Sequence, residues 1–195
     1  MSKARETREK IIKQAASLFN TKGYSGSSIG DIMRATGLQK GGIYNHFKSK
    51  EELALAAFDY AFQCVSKRIR EVVRTKTNAK DRLQVLLSSY LSYINDPPLP
   101  GGCPILNTAV ESDDIHPALR DRARQAMTSW RSLIGRIIEK GISKGEIHST
   151  VEADVVATII ISTIEGGIMM SKLYQDPIHL QRAIDHLKEY VQNNL

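Results

Sequence analysis

The sequence predicts an all-α protein, and three observations predict it. Apolar residues recur at three- and four-residue intervals along most of the 195 residues, the spacing of one helix face. No stretch shows the strict alternation of a half-buried strand. Helix-starting and helix-stopping residues punctuate the chain at intervals that suit about nine helices.

The elements follow in order. A first helix covers about 4–22, with Ile11, Ala15, Leu18 and Phe19 on one stripe and Gly23 to end it. A second begins near Ser28, where Ser28-x-x-Asp31 fits a capping box with a short acid. Ile29, Ile32 and Met33 face inward, and Gly37 stops it. A third spans about 39–47, held by Ile43 and Phe47 at i, i+4. Ser49 and Glu52 mark the start of a fourth helix, which runs to about 75 through Leu53, Ala57, Ala61, Val65, Ile69 and Val72. A fifth covers about 79–95. The breaker-rich "NDPPLPGG", 95–102, is a loop, followed by a short helix over about 103–112. Pro117 opens the seventh, where a fixed φ and a missing amide cost nothing; it runs to about 140. The eighth covers about 151–173, apolar nearly all round at 155–164. Asp176 and Pro177 open the ninth, with the stripe Leu180, Ile184, Leu187 and Val191.

Charge is unevenly spread. The net charge is +6, yet residues 1–50 hold 10 Lys+Arg against 3 Asp+Glu and the rest of the chain is nearly neutral. A compact basic segment of this kind suits phosphate, in nucleic acid or at an anionic membrane, or is a solvated basic face. The start "MSKARETREKIIKQ" has no signal-peptide core. The most apolar stretch, 155–170, is interrupted by Glu165 and two glycines, and a buried helix is expected there rather than a membrane span. Cys64 and Cys103 make no disulfide framework. The expected protein is soluble and cytoplasmic, with no membrane association.

Two helices joined at Gly37 make a helix-turn-helix, residues 28–47, which places its second helix in a DNA major groove. Ile43 and Phe47 pin that helix, leaving Lys40, Gly41, Tyr44 and Asn45 outward. Gly41 and Gly42 are poor helix formers, each costing about 1 kcal/mol relative to alanine. Their use is close approach: with no side chain in the way, backbone can meet another surface. Helix starts also favour phosphate, which would account for Lys50 in the first turn of the fourth helix.

"GYSGSSIGDIMRATGLQKGGIYNHFKSKEEL", 23–53, resembles the signature of TetR-family transcriptional regulators. The match combines Gly-Tyr before the second helix, the Ile-x-x-Ile spacing, Ala35-x-Gly37, the Gly-Ile-Tyr-x-His-Phe core and the Ser-Lys-Glu-x-Leu start of the fourth helix. The resemblance implies a DNA-binding domain over 1–48, with homology to about 64, and an effector-binding and dimerisation domain over 49–195. It implies base reading at Lys40, Gly41 and Gly42, and backbone phosphate contacts at Tyr44, His46 and Lys50, and at Ser27 and Ser28 beside the second helix. Because glycines supply no side-chain contacts, direct readout falls to Gln39, Lys40 and Asn45, helped by DNA shape. Lys48 joins the same basic interface.

The resemblance further implies a homodimer through the eighth and ninth helices, binding a palindromic operator, and a pocket for an unknown small-molecule effector whose occupancy releases the DNA. Candidate pocket residues are Phe62, Tyr90, Cys103, Met127, Trp130, Glu165 and Met169. Gly166 and Gly167 would allow close helix approach at the dimer interface. No cofactor and no metal site are expected: Glu111, Asp113, Asp114 and His116 cluster in sequence, but their spacing fits no standard ligand set. Two other readings stand beside the repressor. One is a regulator without a small-molecule effector, answering to a protein partner or to redox chemistry at Cys103. The other is a helical enzyme built on Cys103 and His116, which lacks a third orienting group and a phosphate loop; an enzyme is not expected.

Overall fold

Among the described residues of the computed structural model (2–94, 96–112 and 116–195), nine helices form and no strand. They are α1 (Lys3–Lys22), α2 (Ile29–Thr36), α3 (Lys40–Tyr44), α4 (Lys50–Val73), α5 (Ala79–Ser92), α6 (Pro104–Ser112), α7 (Pro117–Ser143), α8 (Ala153–Tyr174) and α9 (Ile178–Asn194). Asn95, the expected end of the fifth helix and first residue of the breaker-rich loop, and Asp113 and Asp114 of the acidic cluster lie outside the described residues.

Local chemistry sets the starts and stops. Ser2 caps α1 by accepting from the Arg5 amide. Ser28 and Asp31 form the expected reciprocal capping box at α2. Gly37 sits in the left-handed region (φ 71°, ψ 15°) and its amide donates to the Met33 carbonyl, the αL stop in which glycine is least strained. Ser49 accepts from the Glu52 amide at the start of α4, but the Glu52 carboxylate accepts from Lys48 N–H rather than from Ser49. The reciprocal half of that box is thus displaced by one residue. Asn78 caps α5.

By packing, the chain forms two compact units. One comprises 1–65 with 99–126, the other 66–98 with 127–195. In the first, Ile11, Ala15, Ala16, Ile32, Ile43, Phe47, Leu53, Ala57, Ala61 and Leu99 make one buried cluster. Each large aliphatic or aromatic side chain so buried contributes about 1.5–3 kcal/mol. α6 and the start of α7 belong to this unit, so the helices at the front of the chain share a core with a segment some fifty residues beyond α4's first turn.

In the second unit α8 packs along α9. Val156, Ile160 and Ile164 on one helix and Leu180, Ile184, Leu187 and Val191 on the other are buried. Gly167 is fixed by this packing: a Cβ there would stand 3.0 Å from the Ala183 Cβ and 3.2 Å from the Leu180 Cα. The expected use of Gly167 at a dimer interface is therefore corrected, because its close approach is spent within the chain. Nor do the glycines break α8, which runs unbroken from Ala153 to Tyr174.

Candidate nucleic-acid interface

The reading head is built on two anchors. Ile43 and Phe47 are each 1% exposed, and the Arg8 guanidinium lies over the Phe47 ring at 4.8 Å. α3 is shorter than its expected span of 39–47. The regular helix ends at Tyr44, and Ile43 O then accepts from both His46 N–H and Phe47 N–H in a tighter turn that still delivers Phe47 to the core.

With those anchors inward, Gln39, Lys40, Gly41, Tyr44, Asn45 and Lys48 are exposed, and Gly42 and His46 are half-buried. The Lys40 ammonium sits 5.8 Å from the Tyr44 ring centroid, so the two side chains share the same outer flank. Nothing lies within 4 Å of where a Cβ would stand on Gly41, and at Gly42 the nearest atom is Leu38 Cβ at 3.6 Å, ordinary contact. The protein's own packing therefore does not demand glycine at either position. These residues are brought together as one exposed face of cations, a phenol, amides and bare backbone.

Three expected contact residues differ. The Ser27 hydroxyl is buried and donates to Gly23 O, which removes it from the surface. The Ser28 hydroxyl is exposed but occupied, accepting from Asp31 N–H and donating to the Asp31 carboxylate. The bond from the Ser28 hydroxyl to the carboxylate, then that from the Ser28 amide, then Arg34, hold the Asp31 carboxyl well below the usual carboxylate range. Lys50 is half-buried, and its ammonium donates to Tyr24 O at 2.6 Å while lying 4.1 Å from the Tyr24 ring centroid. Burial lowers its pKa, opposed by the nearby Glu111 and Asp31 carboxylates. An ammonium so engaged is a structural cation first.

Sequence reasoning also passed over α1. Lys3, Arg5, Arg8, Lys10 and Lys13 are exposed cations along its first turns; their signal was the charge excess of the first fifty residues, which was not traced to individual positions.

The expected effector residues divide between the two units. Phe62 and Cys103 fall in the first unit, and Tyr90, Met127, Trp130, Glu165 and Met169 in the second. Met169 is 53% exposed and lines no interior. Tyr90 and Trp130 are buried with stacked rings 5.7 Å apart, and the Trp130 indole N–H is buried without an acceptor. Glu165 is buried among the apolar residues of α8. A cavity of about 30 Å³ in the first unit is walled by other residues, including Asn20, Tyr24, Phe58, Asn107, Glu111 and His116. No group of three or more potential metal ligands occurs among the described residues: Glu111 is bound to backbone amides and the His116 ring packs edge-on against Tyr24 at 4.5 Å.

Comparison with known proteins decides what this head belongs to. Residues 11–57 match the family model described as bacterial regulatory proteins, tetR family, and residues 79–187 match that of the Tetracyclin repressor-like C-terminal domain. This chain is a member of the TetR family. The crystal structure of a TetR transcriptional regulator from Chloroflexus aurantiacus is 48% identical, with a TM-score of 0.95 over 99% of this chain and 98% of that one. An uncharacterized HTH-type transcriptional regulator of Bacillus subtilis, YxaF, is 29% identical over 90% of both chains. The regulator CifR, solved as a cysteine mutant complexed with operator DNA, shares the fold at a TM-score of 0.84 and 19% identity, covering 93% of this chain and 94% of that one. As a TetR-family protein, the chain is a DNA-binding transcriptional regulator, and its relatives are regulators rather than enzymes.

Proposed function

We propose that this TetR-family protein is a cytoplasmic repressor that binds a palindromic operator as a homodimer and is released by a small-molecule effector. The observation that carries the DNA half of this reading is the inward Ile43–Phe47 pair with the outward Lys40–Gly41–Tyr44–Asn45 flank. Lys40, Gln39 and Asn45 are the side chains long enough and polar enough to reach base edges. Tyr44, His46 and Lys48 surround them as phosphate contacts, which fix register without reading sequence. Ser28 and Lys50 act one step back, by holding the ends of α2 and α4. The operator DNA bound by CifR supports a duplex as the partner, and the Tetracyclin repressor-like match over 79–187 supports repression.

The effector half rests on the second unit. A buried indole N–H without an acceptor costs about 1–3 kcal/mol of lost hydrogen bonding. A ligand carrying an acceptor would recover this at Trp130 while stacking on Tyr90. Binding there would bias the chain between DNA-competent and DNA-incompetent states, and α4 and α7, each continuous from one unit into the other, are the covalent routes. Trp130 is the one tryptophan in the chain, so its emission reports on this place alone.

The test is selection of genomic fragments by the purified protein, followed by titration of released operator against small molecules. A palindrome should emerge, and a compound that releases it should shift Trp130 emission at the same concentration. Recovery of no consensus would end the operator reading. Release with unchanged emission would move the effector site elsewhere.

A further inference from the structure

We propose that Glu111, on α6, is a positioning residue for DNA binding: its carboxylate clamps the turn between α1 and α2 and so sets the attitude of the helix-turn-helix. The inference rests on the reading that α3 faces DNA. Its basis is a pair of charge-assisted hydrogen bonds made across 87 and 86 positions of sequence. Tyr24 N–H donates to Glu111 Oε2 at 2.7 Å, and Ser25 N–H donates to Oε1 at 2.7 Å. Two parallel bonds to the two oxygens of one carboxylate fix direction as well as distance. The turn is shaped to accept it, since a Cβ on Gly23 would stand 2.8 Å from a Glu111 carboxylate oxygen.

Six further hydrogen bonds surround that pair. Lys50 donates to the carbonyl of the same Tyr24, and the Glu111 charge favours its protonated form. The first turn of α4 is thus tied to the same three-residue stretch. One turn of α6 earlier, Asn107 Nδ2 donates to Asn20 O, Asn20 Oδ1 and Gly101 O. Asn20 Nδ2 in turn donates to Pro100 O and Gly102 O. The fit at Gly101 is close enough that a Cβ there would stand 2.3 Å from Asn20 O.

The clamp orients more than it desolvates. Ser25 is exposed and Tyr24 only half-buried, so water can satisfy both amides if the carboxylate is lost. The two amides lie three and four residues before the Ser28 cap of α2, the helix that carries α3 through the three-residue turn 37–39. A change in direction at residues 24–25 therefore passes into the reading helix with little of the core disturbed. The 30 Å³ cavity, walled in part by Tyr24, Asn107, Glu111 and His116, lies beside the clamp.

The experiment compares wild type, Glu111→Ala and Glu111→Gln on the selected operator and on a scrambled duplex of equal length. Melting temperature and the hydrogen exchange of the Tyr24 and Ser25 amides are followed in parallel. Glu111→Ala should weaken operator binding at least tenfold, leave scrambled-duplex binding within twofold, and speed exchange at both amides. Glu111→Gln, which keeps one acceptor oxygen, should fall between. If Glu111→Ala does not fold, the glutamine variant alone carries the same reading. Operator binding within twofold of wild type would overturn the proposal, as would equal loss on both duplexes together with a lowered melting temperature. A wild-type protein that discriminates no duplex would remove the DNA reading itself and the inference with it.

Discussion

At Gly41 the sequence accepts a helix-weakening residue that the surrounding protein does not require. Nothing stands within 4 Å of its absent Cβ, and its φ lies outside the left-handed region. Gly41→Ala should therefore raise stability, by up to about 1 kcal/mol, while lowering operator affinity because the added methyl meets DNA. Thermal melting and a binding titration on the same preparation check both signs, and a variant that binds as well as wild type would remove the close-approach argument. The cations divide in the same way. Lys40 and Lys48 are exposed, whereas the Lys50 ammonium is held on Tyr24 O. Lys48→Ala should flatten the dependence of affinity on salt by about one phosphate's worth, a slope change near 0.9, and Lys40→Ala should in addition relax sequence preference. Lys50→Met should leave the slope nearly unchanged and weaken operator binding through the turn. Equal slope changes at Lys48 and Lys50 would restore Lys50 to the phosphate contacts.

At the scale of one element, α2 offers a pH test. Folding lowers the Asp31 pKa through its bonds with Ser28, with Arg34 adding to them. A carboxyl lowered on folding stabilises the folded state above its unfolded pKa of about 3.9, and that contribution is lost as pH falls from there through the folded value. Asp31→Asn should thus be less stable than wild type in urea at pH 7, with the gap narrowing at pH 3; a gap independent of pH would deny the capping box its charge. This box was legible in sequence because everything it needs lies within four residues, and Gly37 closes the same helix eight residues on. What was not legible has a physical reason in each case. The end of α3 was placed three residues late because Asn45–Phe47 continue the helical period in a tighter turn. Glu111 gave no signal, since an acid's partners 87 residues away leave no local spacing to read. Met169 was placed inside because on an apolar helix periodicity alone does not separate the core face from a face turned outward. The hold of Lys50 on Tyr24 left no local signal either, because its partner lies outside its own element.

For the whole molecule the open question is what covers α8. Along its outer side Val155, Ile159, Met170 and Leu173 are 48%, 39%, 39% and 72% exposed. With Ser162 and Gly166 they fall at helical spacing on one stripe, opposite the residues buried against α9. A row of large apolar side chains left in water is unfavourable by about 25 cal/mol for each Å² that a partner could cover, and in the proposed homodimer a second copy about a two-fold axis would cover it. The two adjacent glycines then separate the two kinds of packing. Gly167 is crowded by Ala183 and Leu180 of its own chain, whereas nothing lies within 4 Å of a Cβ on Gly166. Gly167→Leu should overpack the α8–α9 contact and destabilise the protomer by about 1–3 kcal/mol. Gly166→Leu should leave protomer stability near wild type but hold a second α8 away. Sedimentation should then find monomers, and operator affinity should fall steeply while binding to a single half-site persists, because two-fold symmetry is what couples the half-sites. A Gly166→Leu protein that remains dimeric would place the dimer interface elsewhere on the molecule and leave the α8 stripe in need of another cover.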